Sequence, residues 1–446
     1  MSAATLPSLR PWTHRLLRIG EDIEHRCIDD LPELLEPGDL LVVNDAATLP
    51  ASLMGEGCEL RLAGPLDEGW VVSFGTGDWR TDTDRRPERT FEVGEPVTVG
   101  GMAGIVVEVS PLSPRLVRVE WELSGPALWT ALYRQGRPVQ YSYLDRALAL
   151  DEVQTPYAAR PWAVEMPSAG RPLGEALRKR LAERGVAIAS LTHAAGLSAT
   201  GDPALDAALP LPERSDIPAE TLAAVESARR VIAVGTSVVR ALEDRARTGW
   251  RPGVTTSTLR LGPGSELLVV DGLLSGMHEP GESHFELMAA FEDLDRLRAA
   301  DRHARARGYR GHEFGDFTLL FRRQARGERY RGPAGAYARR PRSAPLSPVS
   351  LSPVGLVQAS ARRVLAHPPR ALAHAPAAEV VVDGGRLAGP GEEDGLDELA
   401  VVDAGLSRGR VERGLEGRVE GHAPGREDRL GVPWGTGLAV GFQVAL

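Results

Sequence analysis

The sequence predicts an α/β protein: an open mixed-sheet domain, an all-β barrel-like domain inserted into it, and a low-complexity C-terminal tail. Three observations predict this. Short apolar runs such as Leu40-Leu-Val-Val and Val231-Ile-Ala-Val alternate with helix-period segments, the pattern of a sheet covered on both faces. Between them, Val117, Val119, Trp121 and Leu123 alternate with Arg118, Glu120 and Glu122, a period of two that marks half-buried antiparallel strands. From about Arg326 onward the chain turns rich in Arg, Gly, Pro and Ala and loses periodicity, which reads as a disordered tail. The expected units are 1–57, first part of the α/β domain; 58–150, the insertion; 151–325, second part of the α/β domain; and 326–446, the tail.

Each element has its own signal. The turn at Pro37-Gly-Asp launches a buried strand that leaves Asn44 and Asp45 at its carboxyl end. Trp70-Val-Val-Ser-Phe, Glu95-Pro-Val-Thr-Val and Gly104-Ile-Val-Val-Glu-Val, separated by Gly, Pro and Asp, supply further barrel strands. After Asp151, Leu173, Ala176, Leu177 and Leu181 share one helical face, Gly185 stops that helix, and a strand from Val186 to Leu191 leads to His193. A second unit starts near Asp216, with Pro218 near the first helical position, and ends before the Val231 strand. That strand turns through Gly235 and Thr236 into a helix carrying Arg240. A third strand is expected at Leu267-Leu-Val-Val-Asp, followed by a loop through His278 and a helix opened by a Ser283/Glu286 capping box, with Phe291, Leu294 and Leu297 continuing its buried stripe. In such sheets ligands bind beyond the carboxyl ends of the strands, where Asn44, Asp45, His193, Thr236 and His278 converge.

Composition narrows the function classes. Lys+Arg 52 against Asp+Glu 61 gives a net charge of -9, which excludes a polybasic coat for nucleic acid and makes any RNA contact local. Gly 49 and Pro 34 make about 19% of the 446 residues against roughly 12% in average proteins, much of the excess late in the chain. Cys27 and Cys58, far apart and outside any C-x-x-C pair, exclude a disulfide scaffold and a thiolate-rich zinc site. No secretory leader or long apolar span is legible, so a soluble, cytoplasmic protein is expected, away from membranes.

Several separated pieces resemble one family, the S-adenosylmethionine:tRNA ribosyltransferase-isomerases of queuosine biosynthesis, over about Asp30 to Leu320. They are Leu31-Pro-Glu-Leu-Leu-Glu-Pro-Gly-Asp-Leu-Leu-Val-Val-Asn-Asp, Gln154-Thr-Pro-Tyr-Ala, Pro167-Ser-Ala-Gly, Ala233-Val-Gly-Thr-Ser-Val-Val-Arg, Val270-Asp-Gly-Leu-Leu, Met277-His-Glu-Pro and Tyr309-Arg-Gly-His-Glu-Phe-Gly-Asp. The resemblance implies an α/β domain with an inserted barrel-like domain. It also implies transfer of the ribosyl part of S-adenosylmethionine to 7-aminomethyl-7-deazaguanine in the tRNA anticodon loop, giving epoxyqueuosine with loss of adenine and methionine. Such a reaction needs a base near the 5′ carbon, an acid for adenine, negative groups near the sulfonium and a dry pocket, but no metal.

His278 is the first candidate for proton transfer, against the plainer reading of a polar surface residue. Glu213 matches a family glutamate and is the second catalytic candidate, although the histidines that precede it in the family are replaced here by Leu211 and Pro212. His193 opens a segment that orients substrate. Gly235, Thr236 and Arg240 would hold a carboxylate or phosphate at a helix N-terminus, unless the turn serves geometry alone. Asn44 and Asp45 would bind ribose hydroxyls or base, or else cap a turn; Gln154 and Tyr157 would contact the base, with a core tyrosine as the rival. Ser168 and Asp271 complete the binding set. Arg171-Pro172-Leu173 stands where the family usually has Leu-His-Phe, and Gly281 where it has lysine. Arg296, Arg298, Arg302, Arg305 and Arg307 offer a tRNA track or a solvated helix face. A monomer is expected. The alternatives are a diverged paralogue using S-adenosylmethionine with another acceptor, and a catalytically silent binding protein.

Overall fold

The computed structural model describes residues 1–77, 80 and 88–322, so the expected tail, 326–446, lies outside the described residues. A nine-stranded sheet forms the frame, in the order Gly253–Ser257, Glu213–Ile217, Ala187–His193, Asp39–Asn44, Arg230–Val234, Gly272–Gly276, Phe317–Phe321, Arg15–Ile19, Ile23–Cys27. The four strands from Ala187–His193 through Gly272–Gly276 are mutually parallel, and antiparallel pairs flank them, so the sheet is open and mixed as expected. Asp39–Asn44 is buried at all its positions, which explains its unbroken apolar run. One face packs Leu40, Val42, Ala233, Val238 and Leu242; the other packs Leu41, Val43, Ile232, Leu177 and Leu181.

The inserted sheet has six antiparallel strands in the order Ser52–Met54, Glu59–Leu62, Trp70–Phe74, Leu116–Trp121, Met102–Val109, Pro96–Val99. An antiparallel bridge between Gly55 and Val99 brings its two ends together, and Leu53, Leu60, Val72, Val106 and Val119 fill a separate core. Its first strand starts at Ser52, ahead of the position 58 read from the composition shift.

Two local expectations are corrected. The strand expected at Leu267–Asp271 starts instead at Gly272. The carboxylate of Glu243, fully buried, takes the backbone N–H groups of Leu268, Val269 and Val270 at 2.8–2.9 Å, so these cannot join a ladder. The Ser283/Glu286 capping box does not form either. Ser283 is already the first helical residue of Ser283–Met288, and the expected long stripe is broken before a second helix, Leu294–Ala306, capped by Asp293. Gly185, at φ 79°, ends the helix Glu175–Glu183 as expected. Cys27 and Cys58 are free thiols. Among the described residues no helix is long and apolar enough to cross a membrane.

Candidate active site

The carboxyl ends of the four parallel strands lie along one edge of the large sheet, and a single side chain ties several of them together. Asn44 Oδ1 accepts the backbone N–H of His193 at 2.9 Å and of Ala46 at 3.0 Å. Its amide donates to the His193 carbonyl at 2.9 Å and to Ser237 Oγ, in the helix Thr236–Thr248, at 3.4 Å. Asn44 thus serves as an internal clamp. Beside it, Asp45 accepts the Thr192 hydroxyl at 2.6 Å, and burial pushes its carboxyl above the ordinary range.

His193 is fully buried at the end of its strand, with Nε2 2.8 Å from Glu213 Oε2 and Nδ1 without a partner among the described residues. Glu213 also accepts the Gly196 N–H at 2.6 Å and pairs with Arg240. Burial raises the Glu213 carboxyl, but the His193 hydrogen bond and charge, with Arg240, outweigh it and hold the group below its usual value. Arg240 spends its remaining donors on the carbonyls of Leu259, Ser257 and Leu211 at 2.7, 2.9 and 3.1 Å. This changes the expectation for Arg240: engaged on every side and buried, it anchors Glu213 rather than awaiting a carboxylate or phosphate.

His278 lies just past the Gly272–Gly276 strand, its Nε2 2.8 Å from Ser275 Oγ and its ring 4.9 Å from that of His284. Burial, then the nearby His284 and His312, press it well below the usual histidine value, so the ring is neutral near pH 7. Gly235, at φ 93°, makes the turn into Thr236–Thr248 and donates its N–H to the Leu274 carbonyl at 2.8 Å. A Cβ at Gly235 would lie 3.5 Å from that of Ala169, which places the Ser168–Gly170 turn against this helix start.

Other expected residues are placed differently. Gln154 exchanges hydrogen bonds with the Thr48 backbone at 2.9 and 3.0 Å, fastening the chain that returns from the barrel. Tyr157 is buried among apolar side chains with an unpartnered hydroxyl, the core reading. Asp271 stands at the opposite, amino end of its strand, paired with Arg322 at 2.6 Å and accepting the Val231 N–H, so it is not brought to the others. The arginine track is largely neutralised: Arg298 pairs with Asp295, Arg305 with Asp301 and Glu279, and Arg296 with Glu292 and the carbonyls of Gly20 and Glu21.

Residues that sequence reasoning missed gather beside His278. His312, at φ 66°, stacks on Tyr143 at 4.4 Å, and Tyr143 stacks on Tyr141 at 5.5 Å. Glu313 follows His312 in the chain, and Arg171 Nη1 reaches the Glu313 carbonyl at 3.5 Å. The Tyr309-Arg-Gly-His-Glu-Phe-Gly-Asp motif carries the sequence signal for His312 and Glu313.

With this geometry in view, comparison with known proteins is decisive. Residues 2–320 match the family described as queuosine biosynthesis protein. This chain belongs to that family. A relative in the queuosine biosynthesis family from Acidiphilium cryptum, named S-adenosylmethionine:tRNA ribosyltransferase-isomerase, is 34% identical over 324 residues, covering 69% of this chain and 92% of its own length. A protein of the same name from Gloeobacter violaceus is 36% identical over 320 residues, covering 69% and 88%. A crystal structure of an S-adenosylmethionine tRNA ribosyltransferase from Thermotoga maritima aligns with 24% identity and a TM-score of 0.40, covering 72% of this chain and 96% of that one. The queuosine-family match takes in both sheets but for Phe321, and every candidate site residue named above.

Proposed function

We propose that this chain transfers the ribosyl moiety of S-adenosylmethionine to 7-aminomethyl-7-deazaguanine in the tRNA anticodon loop, giving epoxyqueuosine and releasing adenine and methionine. The observation that carries this reading is the meeting of His193, Glu213 and Asn44 with the start of the Thr236 helix at one sheet edge, in a chain matched from residue 2 to 320. His278 follows the neighbouring strand end.

The positive sulfur acidifies the hydrogens on the adjoining 5′ carbon. A neutral imidazole is the right base for them, and His278, kept uncharged by its surroundings, fills that role. Glu213 is ionised and held from two sides, so it donates no proton. It orients His193 through Nε2, leaving Nδ1 unpartnered among the described residues, and it adds negative charge where the sulfonium binds. Asn44 keeps these strand ends in register, so the polar groups need little rearrangement when substrate arrives. The protein acts in the cytoplasm as a monomer and uses S-adenosylmethionine as ribosyl donor, without a metal.

The test is direct. Purified protein, S-adenosylmethionine and tRNA carrying 7-aminomethyl-7-deazaguanine should yield epoxyqueuosine in the nuclease digest of the tRNA, read by mass spectrometry. An unmodified digest with active relatives working in parallel would contradict the reading.

A further inference from the structure

A buried guanidinium, that of Arg171, and a carboxyl oxygen of Glu313 both lack ion-pair partners among the described residues beside the candidate site. Arg171 is 7% exposed, and its one described hydrogen bond is a long one, 3.5 Å from Nη1 to the carbonyl of Glu313. Its guanidinium lies over the Phe314 ring at 4.7 Å, and no described carboxylate pairs with it. Burial alone lowers it to about 10. The Glu313 carboxyl presents the complementary case. Its Oε2 is buried without a partner, and burial raises the group to about 7.

These two residues are neighbours, yet they do not form an ion pair with each other. Burying polar groups without partners is unfavourable, so an unpaired guanidinium and an orphaned carboxyl oxygen on neighbouring residues suit a ligand that carries both a carboxylate and an ammonium. The backbone is shaped to this end. His312 takes a left-handed conformation at φ 66°, unusual for a residue with a side chain, and its stack on Tyr143 at 4.4 Å fixes the peptide that carries Glu313. Arg171 directly follows the Ser168–Gly170 turn, whose Ala169 faces Gly235 at the start of the Thr236 helix.

We propose that Arg171 and Glu313 form a clamp for an α-amino-acid group, Arg171 taking the carboxylate and Glu313 the ammonium of the methionyl end of the sulfonium substrate. The clamp rests on the ribosyl-transfer reading for the identity of that substrate. Guanidinium and carboxylate match in planar, two-point geometry, and the ammonium restores the charge form of Glu313 that burial disfavours. The Phe314 ring beneath the guanidinium adds an apolar wall.

Calorimetric titration of the full chain with S-adenosylmethionine and with its decarboxylated analogue tests this. Wild type should bind the complete substrate at least about tenfold more tightly, as expected for a buried charge pair. Arg171→Gln should lose at least about tenfold on S-adenosylmethionine and nothing on the decarboxylated analogue, with partial recovery in Arg171→Lys. Glu313→Gln should weaken both ligands, since both keep the amine, while leaving the 2-hydroxy analogue unaffected. Thermal melts confirm that each variant is folded. Equal affinity of wild type for the two ligands, or parallel losses in Arg171→Gln, overturns the clamp. Discrimination by wild type without epoxyqueuosine formation keeps the clamp and overturns the ribosyl-transfer reading; no sulfonium binding at all overturns both.

Discussion

The His193 imidazole and the Glu213 carboxylate meet at 2.8 Å between adjacent antiparallel strands, and Arg240 closes on Glu213 from the helix behind. Breaking a buried charge network by removing one partner costs far more than the network contributes net, about 3–5 kcal/mol. Arg240→Met should therefore lower unfolding free energy by about that amount in urea titrations, and Glu213→Gln in the same chain should restore much of it. The pH sign follows from Glu213: its folded value lies below the unfolded one, so its contribution is present above the ordinary carboxylate range and is lost as pH falls through the lowered value.

For His278 the sign differs in origin. Its folded value lies well below the ordinary 6.5, so the unfolded chain binds a proton that the folded one refuses, and stability falls as pH drops below about 6.5. Catalysis should persist through that range, because the base stays neutral until the lowered value is reached. His278→Ala should reduce turnover by about 10²–10⁴-fold with little change in melting temperature. A rate profile bending at pH 6.5, or an unaffected variant, would remove His278 from the mechanism.

Tyr157 separates a binding role from a packing one. A Cβ on Gly170 would stand 1.9 Å from its hydroxyl oxygen, so Gly170→Ala should destabilise by more than about 1–3 kcal/mol unless the ring moves. Because that hydroxyl is buried and unpartnered, Tyr157→Phe should match or exceed wild-type stability and leave KM for S-adenosylmethionine unchanged. A raised KM with unchanged stability would return Tyr157 to the substrate.

Much of the frame was legible because it rests on local pattern. The fully buried run at Asp39–Asn44 and the alternation at Leu116–Trp121 report burial on two faces and on one, which sequence period encodes directly. The edge-of-sheet rule then placed Asn44, Asp45, His193, Thr236 and His278 at or just beyond strand ends, where the structure has them. What escaped depends on partners distant in sequence. The apolar run at Leu267–Val270 looks like a strand until Glu243 takes its N–H groups, and Arg240 looks like an anion receptor until Glu213 is found against it. Asp271 has the letters of a motif but the wrong end of its strand.

The Glu243 contact carries its own prediction. Its carboxylate accepts three backbone N–H bonds and pairs with Arg247 at 2.6 Å. Hydrogen bonds to a charged group contribute about 1.5–3 kcal/mol, so Glu243→Leu should cost at least that in chemical denaturation and loosen hydrogen-exchange protection at residues 268–270. Unchanged protection there would show that the segment holds itself.

In the proposed reaction the site acts on a sulfonium substrate only when the acceptor RNA completes it. Adenine release from S-adenosylmethionine, followed by chromatography with and without tRNA bearing 7-aminomethyl-7-deazaguanine, measures this most directly. Release that requires the modified tRNA and stops with His278→Ala is the predicted result; release without tRNA, or none in its presence, contradicts it.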